Sequence, residues 1–372
     1  MTDVVLAQIG LGLIGQSVIE QISQQRATWE RDYGIHIVVR ALIDSTGGVC
    51  CDEADGYAND ELASLVKHRR SGGRIANLPE AFGWTKRSAA EALTLTQPFG
   101  HVIAIDTAAG SKTADLLGMN LTSGGGVVLS NKAPLALPAT NPNALLLWSE
   151  SGFRGRMRYE TTCGAGLPVI STLRSLIATG DEVTQVVGAL SGTLGAIFAD
   201  LDAGKPFSHA VVDAKAAGFT EPDPRDDLSG LDVARKALIL ARTIGIPIEL
   251  DRIEIESLVP ETLRDGSVDD FMAGISQVDA EIATRAESAR AKGARLKYVA
   301  TVSANQPISV GMREISLDTV LGSLTGPQNI ITITSKRYAA NPINVTGPGA
   351  GAAVTAAGVV ADMLDLAMTL GR

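Results

Sequence analysis

A short apolar run, Val4 to Ile9, breaks at Gly10-Leu11-Gly12-Leu13-Ile14-Gly15 and passes directly into a helical pattern that continues to about Arg26. Three glycines at this spacing between a strand and a helix admit few structures. The first permits a tight turn, the second lets another molecule approach the backbone, and the third lets the helix pack closely on the strand. The helix N-terminus at that turn favours a bound phosphate. A second apolar run, Ile35 to Ile43, ends at Asp44, where an acid can bind ribose hydroxyls. This is a dinucleotide-binding pattern, with Gly10, Gly12, Leu13, Ile14, Gly15 and Asp44 as candidate contacts. Asp44 leans the choice towards NAD over NADP, because a 2′-phosphate would meet a carboxylate; Arg40, four residues earlier, softens that preference.

Further buried strands are expected at Val102–Asp106 and Gly126–Ser130, with helical stretches between them. Alternating strands and helices imply a parallel sheet. Asp106-Thr107 and Ser130-Asn131-Lys132 then fall at the C-terminal ends of strands, where doubly wound sheets bind ligands. Thr107, Ser130 and Lys132 join the candidate cofactor contacts on that ground.

After about residue 150 the pattern changes. Arg156–Glu160 reads as a half-exposed strand, and 183–189, 296–302 and 330–334 as strands of a second, mixed or antiparallel sheet. The chain closes with Gly347-Pro348-Gly349-Ala350-Gly351 and a helix from about Ala352 to Leu370. The expected fold is α/β. A Rossmann-type doubly wound sheet is built from 1–150 with 347–372, and a second α+β domain for substrate and dimer contacts from 151–346.

Composition narrows the function. The 372 residues are 45% apolar and only 4% aromatic, with 39 glycines, which suits a sheet core of Val, Ile, Leu and Ala. A net charge of −9 argues against a nucleic-acid partner, since phosphate backbones require concentrated Lys and Arg. No stretch of about 18 unbroken apolar residues is present, and the N-terminus lacks a signal-type pattern. Three cysteines and four scattered histidines suggest neither a disulfide framework nor a metal site. The expectation is a cytoplasmic protein with no membrane partner.

Chemistry concentrates in Gly218-Phe219-Thr220-Glu221-Pro222-Asp223-Pro224-Arg225-Asp226-Asp227-Leu228-Ser229-Gly230-Leu231-Asp232. Its two prolines place the carboxylates on a loop. A helix follows from Ser229, where Asp232 and Lys236 stand four apart and share a face. By spacing alone, Ser229 and Asp232 form a capping box, and Asp232–Lys236 an ordinary surface pair.

The run from Gly218 to Lys236 strongly resembles the signature of homoserine dehydrogenases. So do Glu160-Thr161-Thr162-Cys163-Gly164-Ala165-Gly166-Leu167-Pro168, Leu190-Ser191-Gly192-Thr193-Leu194 and Gly349-Ala350-Gly351-Ala352-Ala353-Val354-Thr355, in family order along nearly the whole chain. The resemblance implies reversible, NAD(P)-dependent interconversion of L-homoserine and L-aspartate 4-semialdehyde in threonine, methionine and isoleucine biosynthesis. It makes Lys236 the acid/base, oriented by Asp232. Glu221 and Asp227 are expected to bind the substrate's amino group, with Lys132 and Thr193 as further substrate contacts. Gly351 becomes a cofactor contact, and the backbone carbonyls of Glu160, Cys163, Ala165 and Leu167 a Na⁺ or K⁺ site. A homodimer joined through the second sheet is implied, as is a monofunctional enzyme without a C-terminal regulatory domain.

Two other readings remain open. An acyl oxidoreductase of the aspartate-semialdehyde dehydrogenase kind would use Cys163 as nucleophile, although Cys163 also reads as a small packing residue. A nucleotide-sensing protein would bind NAD(P)H without turnover, and would have no need of Asp232 beside Lys236.

Overall fold

Strand β1 (Thr2–Ile9) is buried at six consecutive residues, Val4 to Ile9, as a strand covered on both faces must be. After it come α1 (Leu13–Tyr33), β2 (Ile35–Asp44), β3 (Gly47–Cys50), α2 (Asn59–Arg70), β4 (Lys86–Arg87) and α3 (Ala89–Thr94). Then follow β5 (Val102–Asp106), α4 (Ala114–Thr122), β6 (Gly126–Leu129), α5 (Pro142–Ser149) and β7 (Met157–Arg158). The seven strands form one sheet in the order β4-β3-β2-β1-β5-β6-β7. It is parallel from β2 to β7, with β3 and β4 added antiparallel at one edge. Strand order reverses between β1 and β5, so the turns after Ile9 and Asp106 lie at the switch point where such sheets bind ligands.

The computed structural model describes residues 2–53 and 55–370. They fall into two units, Met1–Gly166 with Gly351–Arg372, and Leu167–Ala350. The first unit thus runs past residue 150, because β7 pairs with β6 in the first sheet. The half-exposed strand expected over Arg156–Glu160 shrinks to Met157 and Arg158, both buried. Arg158 misleads the pattern. Its guanidinium is buried yet bonded to the Asp365 carboxylate and to the carbonyls of Gly155 and Met157, and a paired charge is tolerated inside.

The second unit begins with α6 (Ile170–Ala178), β8 (Val183–Ala189), α7 (Gly192–Asp202), α8 (Phe207–Ala216), α9 (Pro224–Leu228) and α10 (Leu231–Thr243). It continues through β9 (Glu254–Ile255), α11 (Val268–Gly274), α12 (Asp279–Ala291), β10 (Ala294–Ser303), β11 (Ser309–Ser316), α13 (Val320–Ser323), β12 (Asn329–Ser335) and β13 (Ile343–Gly347). Its sheet has the order β13-β12-β8-β10-β11-β9, antiparallel throughout except β11–β9. Helices α7, α10 and α12 pack on β10. The mixed second sheet expected from sequence is present.

The chain then returns to the first unit with α14 (Ala352–Leu370), which packs on α1, β5 and β6. At 19 residues it is long and apolar enough to cross a membrane by length and composition. Here Ala356, Val359, Met363, Leu366 and Ala367 lie fully buried in the first unit's core, the setting of a core helix.

Candidate active site

The glycine-rich turn shows what each glycine is for. Gly10 has φ +89, and a Cβ there would fall 2.4 Å from the Ala108 nitrogen. A Cβ on Gly15 would lie 2.0 Å from the Gly10 carbonyl oxygen. Both glycines are demanded by the protein's own packing. Gly12 is not, since a Cβ there would meet nothing within 4 Å. It is the N-cap of α1 and offers no side-chain cap, so the first-turn N–H groups call for an acceptor from elsewhere, and Leu13 beside it is exposed. A dinucleotide pyrophosphate fits that cradle.

Two side chains brace the turn from behind. Gln8 is buried in β1, and its Nε2 donates to the Gly10 carbonyl (3.0 Å) and to Thr107 Oγ1 (2.8 Å). Thr107 Oγ1 donates in turn to the Gly10 carbonyl at 2.8 Å. Thr107, expected as a cofactor contact, thus has its hydroxyl engaged with the turn. Behind it, Asp106 accepts from Thr113 Oγ1, the Ala108 N–H and Asn131 Nδ2. Burial pushes its carboxyl above the usual range despite these bonds. The ends of β5 and β6 are thereby locked together, with the Ser130 N–H donating to the Asp106 carbonyl and Lys132 two residues on.

Asp44 and Arg40 depart from the sequence reading. Asp44 Oδ1 accepts from the Thr46 N–H (2.8 Å) and Thr46 Oγ1 (2.5 Å), while Oδ2 accepts from Arg69 Nη1 (2.9 Å) and the Ile75 N–H (3.1 Å). Arg40 cannot soften the charge at this corner as expected. It is 1% exposed, lies over the Phe99 ring and donates to the Cys51 carbonyl. The residue that meets Asp44 is Arg69, which also bonds the Leu11 carbonyl in the glycine-rich turn.

Near the end of the first unit, Ala165 has φ +53, the one non-glycine residue at positive φ among the described residues. It lies in the segment expected to hold a cation. The Glu160 carbonyl accepts from the Cys163 N–H, and the Leu167 carbonyl from the Val169 N–H. Cys163 is fully buried. Gly351, with φ +129, precedes α14 and has nothing within 4 Å of its Cβ position.

In the second unit the acidic segment is not the loop its prolines implied. Pro224 stands at the first position of α9, where a missing N–H costs nothing, and Asp223 caps the helix by accepting from the Arg225 N–H. The Arg225 guanidinium holds Asp223 below the usual carboxylate range and bonds the carbonyls of Arg264 and Gly266, which fixes the segment in place. The expected capping box is also absent. Gly230, in the left-handed region, is the N-cap of α10, and a Cβ there would lie 2.0 Å from Tyr298 Oη.

This folding gathers five of the expected residues. Asp227 Oδ2 accepts from the Glu221 N–H at 2.8 Å, and the Thr193 hydroxyl, beside the Asp227 carboxylate, donates to the Phe219 carbonyl at 2.6 Å. Burial raises the Asp227 carboxyl, and the charges of Asp232 and Asp226 push it the same way. One turn into α10, Lys236 Nζ lies 2.8 Å from Asp232 Oδ2 and donates to the Leu190 carbonyl at 2.7 Å. The Lys236 side chain is 11% exposed and that of Asp232 44%, so this is a half-sheltered pair rather than a surface one. A protonatable amine set beside acceptors for a ligand's ammonium can bind an amino acid and move a proton on it.

The sequence pattern of the homoserine dehydrogenase family matches residues 168–364, which include all five of these residues. The chain is 40% identical over 285 residues to the homoserine dehydrogenase of Emericella nidulans, covering 72% of this chain and 76% of that one. The chain belongs to the homoserine dehydrogenase family. It is also 36% identical along its whole length to a bifunctional chloroplastic aspartokinase/homoserine dehydrogenase of Zea mays, and spans 39% of that relative's length. A hyperthermophilic archaeal homoserine dehydrogenase, solved in complex with NADPH, shares the fold with a TM-score of 0.72 at 24% identity, covering 98% of each chain.

Within the family frame, two features went unseen in the sequence. The Leu190 carbonyl that anchors Lys236 carries no side-chain signal, because any residue supplies a carbonyl. Arg69 lies in a stretch that reads as ordinary surface helix, and only the fold carries it back to β2 and the glycine-rich turn.

Proposed function

We propose that the protein is an NAD(P)-dependent homoserine dehydrogenase of amino-acid biosynthesis, interconverting L-homoserine and L-aspartate 4-semialdehyde. The observation that carries this reading is the placement of Lys236 Nζ between Asp232 and the Leu190 carbonyl, on the unit that also gathers Thr193, Glu221 and Asp227. Lys236 donates a proton to the semialdehyde oxygen or removes one from the homoserine hydroxyl, and Asp232 orients its amine. Glu221 and Asp227 accept hydrogen bonds from the substrate ammonium, with Thr193 as a further substrate contact. The nicotinamide supplies or accepts the hydride when bound.

In the first unit, Gly10, Gly12, Leu13, Ile14 and Gly15 receive the pyrophosphate. Thr107, Ser130, Lys132 and Gly351 line the rest of the dinucleotide path, and Lys132 is also a substrate contact. Asp44 acts at the ribose corner by holding it in shape. The carbonyls of Glu160, Cys163, Ala165 and Leu167 bind Na⁺ or K⁺, oxygen ligands that suit a hard monovalent ion. A homodimer joined through the second sheet, working in the cytoplasm, completes the reading.

The test is absorbance at 340 nm with homoserine, using NAD⁺ and NADP⁺ in parallel, for wild type and Lys236→Ala. Homoserine-dependent reduction by wild type that collapses in the variant supports the proposal. No signal with either cofactor from folded protein would overturn it.

A further inference from the structure

Asp106 is 0% exposed, and every hydrogen bond it makes is an accepted one. Oδ1 accepts from the Ala108 N–H at 3.0 Å, and Oδ2 from Thr113 Oγ1 at 2.6 Å and Asn131 Nδ2 at 3.0 Å. The Asn131 amide is oriented independently, because its Oδ1 accepts from the Ala133 N–H and its Nδ2 also reaches the Gly110 carbonyl. Three donors and no acceptor suit an ionised carboxylate. Burial opposes that charge and the three hydrogen bonds support it, while no charged side chain among the described residues acts on it. Buried charges in proteins are ordinarily paired, and a neutral side chain could brace Thr113 and Asn131 without burying a charge at all.

The place of Asp106 in the first sheet indicates what the charge serves. It ends β5, in register with Ile9 on one side and Leu129 on the other. Ile9 leads into Gly10, and Leu129 into Ser130 and Lys132. The Thr107 N–H donates to the Ile9 carbonyl, so the residue after Asp106 is tied to the glycine-rich turn. In a doubly wound sheet a dinucleotide lies across the switch point, one nucleotide over each half. The adenosine half belongs with the end of β2, which leaves the nicotinamide half to the ends of β5 and β6. That ring carries one positive charge when oxidised and none when reduced.

We propose that the buried charge of Asp106 favours the oxidised, cationic nicotinamide ring over the reduced, neutral one, acting through its field rather than by contact. Hydride leaves the reduced ring for the aldehyde carbon while the carbonyl oxygen takes a proton, and the ring is left with one positive charge. Asp106 therefore biases the bound reactants towards homoserine. The inference rests on the reading of the first unit as a dinucleotide site, so its test must separate the two.

Titration calorimetry of the full chain with the oxidised and reduced forms of NAD and of NADP gives an affinity ratio that needs neither substrate nor turnover. In Asp106→Asn the side-chain oxygen can still accept from the Ala108 N–H, and the new amide can donate to Thr113 Oγ1. The variant is expected to lose at least about threefold of the wild-type ratio in favour of the oxidised form. Thr113→Val removes one bond and keeps the charge, so it should leave the ratio within about twofold while weakening both forms alike. Should Asp106→Asn fail to fold, the ratio is followed in wild type as pH falls, because binding of a proton and of the cationic ring at one field are reciprocally coupled. It must then shift towards the reduced form as Asp106 takes up its proton. A ratio unchanged in Asp106→Asn, moved as far by Thr113→Val, or flat through the acid range in wild type overturns the role of Asp106 and leaves the dinucleotide reading standing. Binding of no form by folded wild type overturns both.

Discussion

Lys236 Nζ donates to the Leu190 carbonyl oxygen at 2.7 Å, so helix α10 and the residue just past β8 are joined through one amine. The same nitrogen meets Asp232 at 2.8 Å. Removing the amine in Lys236→Ala is expected to lower kcat by about 10²- to 10⁴-fold, the usual contribution of a positioned acid/base. The Leu190 carbonyl then loses a partner, a cost of about 1–3 kcal/mol. Asp232→Asn keeps the shape and should cost kcat less than Lys236→Ala does. Steady-state kinetics on both variants decide the point, and a Lys236→Ala enzyme within tenfold of wild type would remove the proton-transfer role.

The Asp227 carboxyl is raised by burial and by the nearby charges of Asp232 and Asp226. Falling pH therefore neutralises it sooner than an ordinary carboxylate, and a neutral acid binds the substrate ammonium less well. KM for homoserine should rise as pH drops through the raised value. In Asp227→Asn it should start high and change less over that range. The stability effect has the opposite sense, because the folded state binds this proton more tightly than the unfolded chain. Asp227's contribution to stability falls as pH climbs from the ordinary value of 3.8 through the raised one. A KM profile that is the same in wild type and Asp227→Asn would show that Asp227 does not hold the ammonium.

Gly12 and Gly15 should separate ligand from fold. A Cβ on Gly15 would sit 2.0 Å from the Gly10 carbonyl oxygen, whereas one on Gly12 meets nothing. Gly15→Ala is expected to lower the unfolding midpoint by forcing α1 away from β1. Gly12→Ala should unfold like wild type and bind dinucleotide at least about tenfold more weakly, because the added methyl occupies the space left for the pyrophosphate. Thermal unfolding and nucleotide titration of the two variants check this, and normal binding by Gly12→Ala would place the pyrophosphate elsewhere.

Local rules carried the reading where the feature is local. The glycine turn, β1, β5, β6 and the closing helix were legible because burial and packing at those positions show directly in residue type and spacing. The reading failed where a distant residue changes the meaning of a near one. Pro224 looks like a helix breaker until it is seen at the first position of α9, where proline is at home. Arg158 looks like surface until Asp365, far along the chain, is folded against it. Asp44 looks like a lone acid at the end of β2 until Arg69 and the Ile75 N–H, from later in the chain, are seen bonded to its carboxylate. In the second unit the segment from Glu221 to Lys236 carries the family resemblance, while the Leu190 carbonyl that accepts from the Lys236 amine leaves no mark in the sequence.

Arg158 and Asp365 join β7 to α14, with Nε 2.5 Å from the carboxylate and the arginine side chain only 2% exposed. Asp365 itself is 58% exposed, so water weakens the pair compared with one buried on both sides. In Asp365→Ala the guanidinium keeps the Gly155 and Met157 carbonyls and Thr369 Oγ1 as acceptors. The expected loss is therefore about 1–3 kcal/mol, below the roughly 3–5 kcal/mol of a fully buried pair. Arg158→Met should cost more, because it removes every one of these bonds at once. In the double variant the two losses should fall short of their sum, since Asp365 has no partner left to lose. A double-mutant cycle by denaturant unfolding measures that shortfall. Strictly additive losses would show that the Arg158–Asp365 pair adds nothing to the packing of α14 on the first sheet through Val359, Met363 and Leu366.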